Sequence, residues 1–158
     1  MTGRPTTWVG LWLEAALLGD RVRVGKLTLR LNSGNPKGWT VDEPAVVRAA
    51  FDLGMKRYFG SRDDPLDIEV FAVRLKEELN DRGSTIDVGL VQQQIGRSLR
   101  DEGFQPDDPP LAVVQNIHGA ALKLATMELE MTEPEITSLI VEAEDLARSR
   151  GWNPPLGP

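Results

Sequence analysis

One histidine, several pairs of closely spaced carboxylates, and Gln92, Gln93, Arg97 and Arg100 in one short run are the residues of this 158-residue sequence best suited to chemistry or recognition. His118 falls with Val114, Ala121 and Ala125 on the edge of an apolar stripe of helical period. A buried general base or metal ligand would sit there, and so would a neutral core histidine with one hydrogen-bond partner. With no cysteine and no second histidine in the chain, one imidazole completes few metal sites, so the core reading is preferred and His118 is kept as a candidate pocket residue. A di-iron bundle would need two Glu-x-x-His motifs, and a Ser-His-Asp triad would be expected behind a Gly-x-Ser-x-Gly elbow. Neither motif is present.

The carboxylate pairs Asp63/Asp64, Asp107/Asp108, Glu128/Glu130, Glu133/Glu135 and Glu142/Glu144 fit helix starts or solvated helix faces, where acids are favoured by the macrodipole and by water. Glycoside chemistry would need such a pair in an aromatic-walled cleft, and aromatic residues make up only 6% of the chain. Gln92, Gln93, Arg97 and Arg100 are residue types that read base edges and phosphates, and they fall on or beside the outward face of one predicted helix. Residues 84–103, however, carry those two arginines against Asp87, Asp101 and Glu102, and the whole chain carries −6. Phosphate attraction supplies most nucleic-acid affinity, so this charge balance argues against nucleic acid as a partner. No catalytic residue, metal ligand or cofactor is expected from these patterns.

The elements that would position these residues are helices. The run at residues 111–131 follows Pro109 and Pro110 and holds one charge, Lys123, before Glu128. Val114, Ile117, Ala121, Leu122, Ala125 and Leu129 share a 3.6-residue period, and neighbouring Leu111, Val113, Leu124 and Met127 widen the stripe. This predicts a central buried helix, with Gly119 to Ala121 admitting a neighbour closely. Around it the start and stop signals mark further helices. Thr40 or Asp42 with Glu43 and Pro44 opens one that Gly60 closes; Asp64 with Pro65 opens the next, to about residue 80; Ser84 with Asp87 opens a third; and Thr132-Glu133-Pro134-Glu135 is a capping box for the last.

Toward the amino terminus, Thr6 or Thr7 caps a helix to Leu18 that turns Trp8, Leu11, Trp12, Ala15 and Leu18 to one side. Residues 21–31 alternate apolar Val22, Val24, Leu27, Leu29 and Leu31 with Arg21, Arg23, Thr28 and Arg30, slipping one residue at Gly25-Lys26. That is the pattern of a β-hairpin with a type II′ turn; a single strand or a helical continuation is the alternative. Residues 32–39 read as a loop, with Lys37 misplaced for a phosphate-binding loop. The expected fold is thus mainly α, a bundle of about six helices around a central buried helix with a small amino-terminal β-hairpin. It forms one domain over 1–158: a basic helix-plus-hairpin portion at 1–39, a helical body at 40–151 and an extended tail at 152–158.

Charge is divided unevenly. Residues 1–41 carry six basic and two acidic side chains, which leaves −10 on the remainder. A basic portion on an acidic body docks within the chain, onto a second subunit, or onto an acidic partner. The candidate interaction surface is therefore Trp8 and Trp12 with Arg21, Arg23 and Arg30. The absence of cysteine fits a cytoplasmic protein. Glu14 interrupts the first apolar run, and Gln115, Asn116, His118 and Lys123 interrupt the run at 111–131, so neither suits a membrane.

The segment TVDEPAVVRAAFDLGMKRYFG and the ending IVEAEDLARSRGWNPP resemble a family of small helical proteins of high-GC Gram-positive bacteria, a likeness covering about the last three quarters of the chain. The resemblance implies no activity. The functional expectation is a non-enzymatic protein-interaction or regulatory protein, self-associating as a homodimer or binding another protein. The alternative is a small nucleic-acid-associated transcriptional regulator.

Overall fold

A computed structural model of the chain describes residues 3–33, 42–60, 64–80 and 86–158. These form seven helices: α1 (Trp8–Leu18), α2 (Arg21–Ser33), α3 (Asp42–Phe59), α4 (Pro65–Asn80), α5 (Val88–Leu99), α6 (Leu111–Glu128) and α7 (Glu133–Ser149). The fold is all helical among the described residues. The chain divides into two compact units, residues 1–50 with 126–158 and residues 51–125.

In the first unit α1 packs against α2 and α7. Thr7 caps α1, its hydroxyl accepting from Gly10 N at 2.9 Å, and Gly19 ends it in the left-handed conformation at φ 74°. The next residue starts α2: Asp20 Oδ1 accepts from Arg23 N at 3.1 Å. The predicted hairpin at residues 21–31 is therefore a helix. Its alternation is compatible with either period, because Val24, Leu27, Thr28 and Leu31, spaced three to four apart, form the inward stripe while Val22 and Leu29 are left outside. The Gly19-Asp20 stop and start decides between the two. α1 also turns further than expected, burying Val9, Leu13 and Leu17 and leaving Trp8 and Trp12 half-buried. α7 opens on the predicted capping box, with Thr132 Oγ1 and Glu135 reciprocally bonded, and buries Ile136, Leu139, Ile140, Ala143 and Ala147. After Gly151 the tail returns to α1, pairing Gly157 N with Thr6 O at 2.7 Å and Trp8 N with Pro155 O at 3.2 Å.

The second unit is an apolar core of Phe51, Met55, Phe59, Ile68, Phe71, Leu75, Val91, Ile95 and Ile117 among others. α4 matches expectation: Leu66 N donates to Asp64 Oδ1 at 2.9 Å, Pro65 takes the first helical position, and Ile68, Phe71, Ala72, Leu75 and Leu79 are all buried. α5 begins on Asp87, whose side chain accepts from Gly89 N at 2.7 Å, and α4 packs against it. The expected starts at Thr40 and Ser84 and most of the loop at 32–39 lie outside the described residues.

The helix buried all round is α3, not α6. Every residue from 43 to 52 is buried, including Glu43, Arg48 and Asp52. Those charges break the hydropathy of α3 and hide it from a periodicity reading. α6 buries one stripe, Val114, Ile117, His118, Ala121, Leu122 and Ala125, and exposes Val113 and Met127. The close approach expected at Gly119 occurs instead at Gly54, where an added Cβ would meet Leu122 Cδ1 at 2.6 Å; Gly119 faces open space.

Candidate functional site

The outward surface of the basic portion belongs to α2. Trp12 Nε1 donates to Thr28 Oγ1 at 3.0 Å, and the Arg30 guanidinium lies 5.0 Å above the centre of the Trp8 ring. Both tryptophans thus meet α2 from within the unit, which is the ordinary use of amphipathic aromatic side chains. Arg23 is engaged as well, its Nη1 donating to Glu14 Oε1 at 2.9 Å, while the other oxygen of that buried carboxylate accepts from Thr137 at 2.8 Å. Of the five residues expected at an interaction surface, Arg21 and Arg30 are exposed, Arg23 is half-buried against Glu14, and Trp8 and Trp12 underlie the surface.

Helical geometry adds three residues that the hairpin reading placed elsewhere. Val22, Lys26 and Leu29 are spaced by four and three residues, so they share the outward face, and Gly25 lies between them. Val22 is 70% and Leu29 72% exposed. α2 carries Arg21, Arg23, Lys26 and Arg30 and no acidic residue. The result is a helix face with two large aliphatic side chains framed by positive charge. A helical reading of residues 21–31 would have grouped the same three residues, so the signal was in the spacing.

His118 occupies a different setting. It is 1% exposed and stacks on Phe51 with ring centres 4.4 Å apart. Its Nε2 lies 3.1 Å from Gln94 Oε1, and Gln94 Nε2 donates to Asp108 Oδ1 at 3.0 Å. The Asp108 carboxylate thereby fixes the orientation of the amide, leaves Oε1 toward the ring, and puts the imidazole proton on Nε2. Asp108 Oδ2 accepts from Gln105 N at 2.7 Å, and Arg97 pairs with both Asp108 and, at 3.0 Å, Asp107. This polar chain pins the connector at 104–110 to α5 and gives the buried His118 a hydrogen-bond partner, as the preferred core reading of that residue expects. Ser98 Oγ donates to Asp52 Oδ1 at 2.5 Å with both residues buried, so that hydroxyl faces a carboxylate and not the imidazole. Among the described residues no group of three or more histidines and carboxylates is arranged to hold a metal ion.

Two carboxylates of the expected solvated pairs are in fact interior. Asp108 is nearly buried in the chain just described, and Glu144 is buried on α7, where it accepts from Thr6 N at 3.0 Å, Thr7 N at 2.7 Å and the Thr7 hydroxyl. Glu144 thus closes the start of α1 from 137 residues away, and Gly10 is required beside it, since a Cβ there would lie 2.4 Å from Oε2. Hydropathy and local spacing carry no trace of such a long-range bond.

The four residues considered for nucleic acid lie on α5 and its C-cap, with their own contacts. Gln93 is exposed, Gln92 lines a cleft with Pro65, Ile68 and Leu99, Arg97 faces Asp107 and Asp108, and Arg100 Nη2 donates to Glu102 at 3.2 Å. No helix among the described residues is long and apolar enough to cross a membrane. Neither a family model, nor a curated protein, nor a solved structure matches this chain.

Proposed function

We propose that this protein is a non-enzymatic interaction or regulatory protein that self-associates through the outward face of α2. The observation that carries the reading is the pair Val22 and Leu29, exposed seven residues apart on a helix that has four basic side chains and no acid. Exposed aliphatic residues framed by charge form an anchor-and-rim pattern: apolar contact supplies affinity and charge supplies register and encounter rate. The opposite sign is abundant on the rest of the chain, since the residues beyond 41 carry −10. A second copy is therefore an electrostatically complementary partner. The nucleic-acid alternative is weaker, because Arg97 and Arg100 are turned to carboxylates of their own unit.

Removing the amino-terminal portion would not test this cleanly, since α1 is tied into its unit by Glu144. Point variants on the solvent face of α2 do. Light scattering on a sizing column should give a dimer of 17.4 kDa chains that weakens as salt rises from about 50 to about 500 mM, the range over which surface charge is screened. Leu29→Asp should give a monomer with unchanged helix content. A wild-type chain that is monomeric at every salt concentration overturns the reading.

A further inference from the structure

We infer that the surface receiving α2 is the outward face of α4 in a second copy of the chain; the inference rests on the self-association reading above and identifies its acceptor. α4 exposes Leu66, Val70 and Val73, three aliphatic residues at spacings of four and three, the same pattern that places Val22, Lys26 and Leu29 on one face of α2. Val22 to Leu29 and Leu66 to Val73 are each seven residues, about 10.5 Å along a helix, so the two stripes match in length. Their charges are opposite. The charged residues beside the α4 stripe are the exposed Asp67, Glu69 and Glu77, with exposed Arg74 on one flank and half-buried Lys76 on the other, a net negative set, whereas those around the α2 stripe are Arg21, Lys26 and Arg30.

The relief of the two faces is also complementary. Beside Val70 lies a cleft of about 280 Å³ lined by Tyr58, Phe59, Asp67 and Arg74, where Arg74 Nη2 donates to the Tyr58 hydroxyl at 3.0 Å. On the other flank a cleft of about 210 Å³ runs along Pro65, Ile68, Gly96 and Leu99. An exposed aliphatic ridge with a groove on each side accepts a helix that presents its own aliphatic ridge, the usual way helices pack.

Charge excludes the symmetric alternatives. Pairing α2 with α2 of another copy would set Arg21, Lys26 and Arg30 against the same three cations, and pairing α4 with α4 would set Asp67, Glu69 and Glu77 against their copies; like charges across an interface oppose association. Each copy carries one face of each kind, so the contact is between unlike surfaces, and a closed wild-type dimer makes it twice, the α2 of each copy on the α4 of the other.

Mixing two variants tests this. Leu29→Asp disables only the α2 face and Val70→Asp only the α4 face, and both positions are exposed, so circular dichroism should match the wild type. Each variant alone should run as a monomer by light scattering at low salt. An equimolar mixture should regain a species of twice the chain mass, because the intact α4 of the first meets the intact α2 of the second. If Val70→Asp alone associates like wild type while Leu29→Asp does not, α2 still mediates self-association and the α4 acceptor is overturned. If both variants are monomeric and the mixture stays so, the pairing of unlike faces is overturned. A wild-type chain that is monomeric, including one that binds vesicles of anionic lipid instead, overturns this inference together with the reading it rests on.

Discussion

The two compact units are held together by different means. In the first, residues near the amino terminus are fastened to the last helix by a buried carboxylate: Glu144 takes two backbone N–H groups and a hydroxyl from Thr6 and Thr7, and Glu14 joins Arg23 to Thr137. In the second, the core is aromatic and aliphatic, with Tyr58, Phe59 and Phe71 meeting edge to face within 4.8 to 5.6 Å. The aromatic residues themselves are partitioned: among the described residues Trp8, Trp12 and Trp152 belong to the first unit, and Phe51, Phe59, Phe71, Phe104 and Tyr58 to the second. An apolar core loses stability in proportion to the surface and volume removed, and it tolerates a change of similar shape. A buried carboxylate with several donors is less forgiving, because removing one group strands all its partners. The same partition supplies separate optical probes, tryptophan emission for one unit and Tyr58 absorbance for the other.

The largest effect should come from Glu144→Ala. Thr6 N and Thr7 N lose a charged acceptor, Thr7 N in a buried setting, and the cost should be about 3 to 5 kcal/mol. In urea, tryptophan emission should change at a much lower midpoint than in the wild type, while the Tyr58 signal should move less. Coincident transitions would show that the units share one cooperative unfolding and would erase the distinction.

Gly10→Ala sharpens the same point from the other side. The new methyl would lie 2.4 Å from Glu144 Oε2 and 2.8 Å from Thr7 Oγ1, so the carboxylate must give up its geometry, at about 1 to 3 kcal/mol. In a Glu144→Ala background the carboxylate contact is gone and only the one with Thr7 Oγ1 remains. The double variant should therefore be less destabilised than the two single effects added, and strict additivity would rule out the close approach as the cause.

In the second unit the counterpart is Gln94→Leu, which takes the acceptor from His118 Nε2 and a donor from Asp108 while keeping most of the volume. About 1 to 3 kcal/mol should be lost, with the Tyr58 probe shifting and tryptophan emission following less. Because Asp108 keeps Arg97 and the Gln105 N–H, the loss should stay below that of Glu144→Ala. A loss equal to or larger than that of Glu144→Ala would reverse the contrast between the units.

How much of this was legible in the sequence follows the range of the interactions. α4, α5 and α7 could be read because their causes are local: Asp64 with Pro65, Asp87, and the Thr132 capping box lie within a few residues of what they organise. The burial of α3 was not, since Glu43, Arg48 and Asp52 depress its apolar signal and are interior only through contacts made in three dimensions. Glu144 looked like half of a solvated pair for the same reason. The candidate surface was half legible. Its charge and position came from Arg21 and Arg30, but Val22 and Leu29 were assigned inward because alternation along residues 21–31 fits a strand of period 2 as well as it fits a helix that leaves two aliphatic residues outside.

Gly25 tests the helical form of this segment by the sign of a small effect. In a type II′ hairpin it would hold the turn, and a side chain there would be strained. In α2 it is an exposed mid-helix glycine with nothing within 4 Å of an added Cβ, so Gly25→Ala relieves the backbone-entropy cost of glycine in a helix. Thermal unfolding followed by circular dichroism should show a gain of about 0.5 to 1 kcal/mol, with α2 still presenting Val22 and Leu29. Lower stability in this variant would mean that Gly25 is needed for something other than an open helical position, and the aliphatic face on which the association rests would lose its support.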